Sequence, residues 1–166
     1  APSSLILANH YLPLSEALAF KEVVMKYDDA SWHYGGDFPK DLASEKGATH
    51  MAMFVSWCLL NNLAGSIHTE EFPEALGALK TRELSPTNWF IQNCDEKFTD
   101  EDLDVIGNKF AAYYYESEDG LFYEDYESAA GEGAKTLYHI EDSWITFDKL
   151  APVLSKRFDE WSAIEG

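Results

Sequence analysis

Residues 49–63 read Thr-His-Met-Ala-Met-Phe-Val-Ser-Trp-Cys-Leu-Leu-Asn-Asn-Leu, the most apolar run in the chain. Met51, Val55, Cys58, Leu59 and Asn62 recur at three- and four-residue steps, and Phe54, Trp57 and Leu60 cover the opposite side. A helix that is apolar on nearly all sides must be buried on all sides, so this run is expected to be the central helix. Asn61 and Asn62 mark its polar end, and Gly65 is the expected stop. The segments that follow are one-sided, as elements packed around a buried rod should be. Residues 69–81 put Phe72, Leu76 and Leu79 on one face, with Glu70 and Glu71 at the start and Lys80 and Arg82 at the end, where the helix dipole favours them. Ser85-Pro86 opens a third helix anchored by Trp89 and Phe90, since serine caps well and proline is tolerated at the first helical position. Thr99 opens a fourth, with Asp100, Glu101 and Asp102 in its first turn and an inward stripe of Leu103, Ile106, Phe110 and either Tyr113 or Tyr114. Residues 121–128 suit a further short helix, and residues 137–144 are extended or irregular. A last helix starts at Ser143 or Thr146 with the stripe Phe147, Leu150, Leu154, Phe158 and Trp161, and Pro152 kinks or splits it. The expected fold class is mainly α: a compact single-domain helical bundle around a buried central helix, with room for one small β-hairpin.

Before the central run lies an aromatic loop broken by glycine. Gly35-Gly36 permits positive φ, and Pro39 biases Phe38 toward extended geometry. Trp32, Tyr34 and Phe38 are expected to pin this loop to the core. It also holds the best candidate chemistry: Asp28, Asp29, His33 and Asp37, with His50 just beyond. Carboxylates and imidazoles are the ligand types for zinc, manganese or iron, and the groups for acid–base work. The spacing matches no ligand signature, and no His-Glu-x-x-His helix occurs. The common use of such residues is local capping and hydrogen bonding. The alternative is a metal or catalytic centre on Asp37, His33 and His50.

Composition narrows the functional classes. The chain has 166 residues, 46% hydrophobic and 14% aromatic, enough to bury a substantial core. Thirty acids against 12 Lys and Arg leave a net charge of -18. Phosphate backbones repel such a surface, so nucleic acid is not an expected partner, whereas a basic protein or divalent cations are attracted. No run approaches a membrane span. Cys58 and Cys94 form no Cys-x-x-Cys pair, and they fit a reducing cytosol. There is no Gly-x-Ser-x-Gly motif, no phosphate loop and no EF-hand register, so no enzyme activity and no cofactor is expected. Residues 95–127 carry about a dozen acids opposed only by Lys97 and Lys109, with tyrosines interleaved. Acids steer a basic partner and tyrosines supply contact area, so Asp100, Glu101, Asp104, Glu116, Glu118, Asp119 and Tyr123 form the expected partner-binding surface.

The motif Tyr-Asp-Asp-Ala-Ser-Trp-His-Tyr-Gly-Gly-Asp-Phe-Pro at 27–39 resembles the opening of small acidic bacterial proteins grouped as a domain of unknown function. The likeness continues through Gly-Ala-Thr-His at 47–50, Glu-Glu-Phe-Pro at 70–73, Asn-Cys-Asp-Glu-Lys-Phe at 93–98, Tyr-His-Ile-Glu-Asp-Ser-Trp at 138–144 and Leu-Ala-Pro-Val-Leu at 150–154. It does not reach residues 1–24, which are expected to be an extension before a domain at 25–166, with Met25 the natural start. Some members of the family resemble immunity proteins of contact-dependent or type VI secretion toxins. The resemblance implies a cytoplasmic protein that binds and neutralises a cognate toxin, which the acidic charge suits if that toxin is basic. It carries over no catalytic residue.

Overall fold

The computed structural model describes residues 24–165. The extension at 1–24 therefore lies, apart from Val24, outside the described residues. In chain order the elements are β1 (Lys26–Asp29), α1 (Thr49–Leu60), α2 (Pro73–Lys80), α3 (Pro86–Cys94), β2 (Lys97–Thr99), α4 (Val105–Tyr114), α5 (Leu121–Ala130) and α6 (Trp144–Glu165), with short 3-10 and π turns between. The fold is mainly α, as expected. None of the described helices is long and apolar enough to cross a membrane.

α1 is the centre. Every residue from Thr49 to Leu59 is buried, and α2, α3 and α6 pack against it. Phe54 shows why this rod organises the rest: its ring meets Phe98, Phe110, Tyr114, Tyr115 and Phe122 at centroid separations of 5.0 to 6.1 Å. Those partners come from β2, α4, α5 and the turn after α4. The core is thus an aromatic cluster gathered around one helix side, and each ring removes a large apolar area from water.

Several local expectations are corrected by backbone stops. α1 ends at Leu60, because Asn62 takes the left-handed region at φ 63, which asparagine tolerates. Gly65 is not the stop but a close approach: a Cβ there would lie 2.3 Å from the Glu101 carbonyl oxygen. The segment at 69–81 is divided by Pro73, which takes the first position of α2 after a π turn at Ile67–Glu71. Phe72 is consequently outside the helix and 59% exposed, while Leu76 and Leu79 are buried.

Thr99 does not open α4. Its side chain and that of Asp102 form a capping box that closes a 3-10 turn at Asp100–Asp102. Leu103 is then extended, and Asp104 caps a fresh helix by accepting from Gly107 N at 2.7 Å. The restart sets the helix face. Gly107, Phe110, Ala111 and Tyr114 point inward, and Ile106, expected in the core, is 51% exposed, with Tyr113 at 45% and Val105 at 71%.

α6 runs unbroken through Pro152 for 22 residues. Pro152 is on the exposed side, where water can take the carbonyl that lost its N–H partner. Phe147, Leu150, Leu154 and Trp161 are buried as expected, and Phe158 is half-buried. The small sheet is not a hairpin. β1 pairs antiparallel with β2, Lys26 opposite Thr99 and Asp29 opposite Lys97, across three intervening helices. Tyr27 and Phe98 meet on its inner side at a centroid distance of 4.7 Å, so the pairing is secured by core packing rather than by a turn.

Candidate functional site

β1 delivers three buried residues in succession, Tyr27, Asp28 and Asp29. Asp29 caps the next turn, its Oδ1 accepting from Ser31 N at 3.0 Å and Ser31 Oγ at 2.7 Å. The 3-10 turn at Ala30–His33 carries His33 back over the strand, so that its Nε2 lies 2.7 Å from Asp28 Oδ1. His50, in the first turn of α1 and wholly buried, brings its Nε2 to 3.1 Å from Asp28 Oδ2. Tyr115 donates its hydroxyl to the same oxygen at 2.5 Å, and Tyr123 approaches it at 3.4 Å. Tyr138 closes the outer side with its hydroxyl 2.8 Å from His33 Nδ1. Phe38 lies against Tyr138 at a centroid distance of 5.0 Å and so pins the loop, whereas Trp32, expected to do the same, is 58% exposed.

Burial by itself would raise the Asp28 pKa. Hydrogen bonds from His33, His50 and Tyr115 outweigh it and hold the carboxyl below the usual carboxylate range. Burial pushes the His50 imidazole down despite the attraction of Asp28, so it is neutral near pH 7. Burial first, and the Asp28 charge second, raise Tyr115, Tyr123 and Tyr138, which keeps all three hydroxyls protonated. Among the described residues no Lys or Arg forms a hydrogen bond or ion pair with Asp28. His50 Nδ1 is buried without a hydrogen-bond partner. The centre is therefore a buried carboxylate with two imidazoles aimed at it.

A second polar group lies across the core. His68 Nε2 is 2.8 Å from Asp102 Oδ1, and Cys94 Sγ is 3.7 Å from the same oxygen. Asp102 Oδ2 holds Thr99 N at 2.9 Å, and burial raises the Cys94 thiol. This group ties the π turn, the end of α3 and the capping box together.

The structure brings His33 and His50 together but replaces Asp37 by Asp28. Asp37 is exposed beside the Gly35-Gly36 turn and has no place in the cluster. The reason is the Asp29 cap, which folds the chain immediately after β1 and returns His33 onto the strand. The expected acidic surface divides. Glu101, Glu116, Glu118 and Asp119 are exposed, and none of them takes part in a salt bridge among the described residues. Asp100 accepts from Met25 N at 3.2 Å, and Asp104 serves as the α4 cap. Tyr123 stands apart from them, with its hydroxyl turned to Asp28. Tyr115, Tyr138 and the His68–Asp102 pair were not singled out from sequence, since nothing local marks a contact across 87 or 34 positions.

Residues 26–140 match the model of a protein family described as Domain of unknown function (DUF7832). The chain belongs to that family. The DUF7832 match takes in every residue of the Asp28 cluster and all of α4, and stops before α6. No curated protein and no solved structure matches the chain.

Proposed function

We propose that this DUF7832 chain is an immunity or inhibitor protein that binds and neutralises a cognate, basic bacterial toxin in the cytoplasm of the producing cell, type VI secretion toxins included. The observation that carries the reading is the outer face of α4. Val105, Ile106 and Tyr113 are exposed there, and Ile106 and Tyr113, seven positions apart, share one side of the helix. Glu101 precedes the helix and Glu116, Glu118 and Asp119 follow it. Lys109 is the one base within α4. An apolar strip with acids at both ends has the composition of a recognition surface: apolar groups bury area, and the rim charges set partner sign and association rate. With a net charge of -18, long-range attraction selects a basic partner. Occlusion needs only affinity, so no catalytic group is invoked.

The test is protection. The chain is co-expressed with candidate basic secreted toxins, those encoded by neighbouring genes first, and growth is measured with wild type and with the Glu101→Lys, Glu116→Lys, Glu118→Lys combination. Wild type is expected to restore growth and to co-purify with the toxin at fixed stoichiometry, and the charge-reversed protein to protect less. Failure of the wild-type chain to protect or to bind overturns the reading.

A further inference from the structure

We infer that Asp28, His33 and His50 form a binding site for a divalent first-row transition metal ion, with Zn(II) the ion to which the donor set is best suited. The first argument is charge. The Asp28 side chain is 4% exposed; its oxygens take hydrogen bonds from Asp29 N, Tyr115 and the two imidazoles, and no Lys or Arg among the described residues pairs with it. Buried charges are paired or bind metals, because an isolated one is too costly to desolvate. The imidazole on the inner side, His50, is fully enclosed. A bound cation supplies a positive charge that no Lys or Arg among the described residues provides there.

The second argument is geometry. One ligand atom from each of the three residues lies within 4.8 Å of the other two, and both Nε2 atoms sit 2.7 to 3.1 Å from a carboxylate oxygen. Nitrogen and oxygen ligands about 2.0–2.2 Å from one ion, at roughly right or tetrahedral angles, stand about 3–3.5 Å from each other. Two imidazoles and one carboxylate on three separate elements are a donor set for zinc, iron or manganese.

The third argument is the layer behind the ligands. Metal-bound histidines are oriented through their other nitrogen, and ligating carboxylates are themselves hydrogen-bonded. Tyr138 touches His33 Nδ1 at 2.8 Å, and Tyr115 donates to Asp28 at 2.5 Å. Coordination through Nε2 leaves the His33 proton on Nδ1, facing the Tyr138 oxygen; the buried His50 Nδ1 has no such partner among the described residues. His33 is the one ligand in contact with solvent, with 16% of its side chain exposed. An ion would reach the site from the His33 side.

The experiment uses the full chain, stripped with chelator and then titrated with Zn(II) by calorimetry, and with Co(II) by its ligand-field absorption. His33→Ala is the main variant because His33 is only half-buried; His50→Gln and Tyr138→Phe accompany it, with Asp37→Asn and Cys94→Ala as controls, and circular dichroism checks folding. Expected is one equivalent per chain that disappears in His33→Ala, weakens about 10- to 100-fold in Tyr138→Phe and persists in both controls. Absence of Zn(II) and Co(II) uptake by folded wild type overturns the site. So does a folded His33→Ala protein that keeps wild-type stoichiometry and affinity, or loss of the ion in Cys94→Ala alone, which would transfer it to the His68–Asp102 group.

Discussion

Asp28 and His50 are 22 positions apart in the chain and 3.1 Å apart in the fold, one at the end of the first strand and the other inside the first turn of the central helix. The contact fixes where the aromatic loop docks. It also places an acid and an imidazole in surroundings where both resist protonation more than they do in the unfolded chain.

That resistance makes stability depend on pH with a definite sign. His50 has a folded pKa below its ordinary 6.5, so on acidification the unfolded chain takes the proton first. Its contribution is complete above about pH 6.5 and is lost as pH falls below that. Asp28, depressed from 3.8, adds a second loss at lower pH. Falling net repulsion acts in the opposite direction on every variant, so the informative quantity is a difference. The urea midpoint of wild type is expected to drop relative to His50→Gln between about pH 7 and 5. A difference that stays constant over that range contradicts the assignment.

The aromatic core predicts a sharp contrast between two apolar truncations. Phe54→Ala empties the space at the centre of five surrounding rings and is expected to cost about 3–5 kcal/mol. Ile106→Ala removes a side chain that is 51% exposed and is expected to stay within about 0.5 kcal/mol of wild type. Chemical unfolding of both proteins measures this, and similar losses in the two would place Ile106 in the core.

Gly65 is required for space rather than for its conformation. A methyl there meets the Glu101 carbonyl at 2.3 Å and the Leu103 carbonyl at 2.9 Å, both backbone atoms. Gly65→Ala is expected to cost about 1–3 kcal/mol through the backbone shift it forces. Gly133, at φ 81 with nothing near its Cβ position, is the contrasting site, where Gly133→Ala acts through backbone conformation alone. Unfolding midpoints distinguish the two, and an unchanged midpoint in Gly65→Ala contradicts the packing.

How much of this was legible depends on the range over which each signal acts. α1 was legible because a helix buried all round needs no face to be chosen, and its residues were apolar throughout. The stops were legible only in part: Ser85-Pro86 and Ser143 act as expected, accepting from Asn88 N and Thr146 N. Asn62 ends a helix, and Pro73 and Asp104 restart one, a few residues from where periodicity alone carries it. The face of α4 follows from that restart, so Ile106, inward on an uninterrupted helix from Thr99, turns outward. Residue type identified His33 and His50, but choosing Asp28 over Asp37 required knowing that Asp29 would cap. Tyr115 and Tyr138 reach the cluster through the tertiary fold, and β1 with β2 pairs across three helices, so neither leaves a local pattern.

The measurement to make is the affinity of the purified chain for its basic partner as a function of salt, with wild type, Ile106→Ala, Tyr113→Ala and the Glu101→Lys, Glu116→Lys, Glu118→Lys protein. Expected is a wild-type affinity that falls with salt, a loss of about tenfold or more on each apolar truncation, and weaker binding with a flatter salt dependence on charge reversal. Equal affinities and equal salt slopes across all four proteins would contradict recognition through α4.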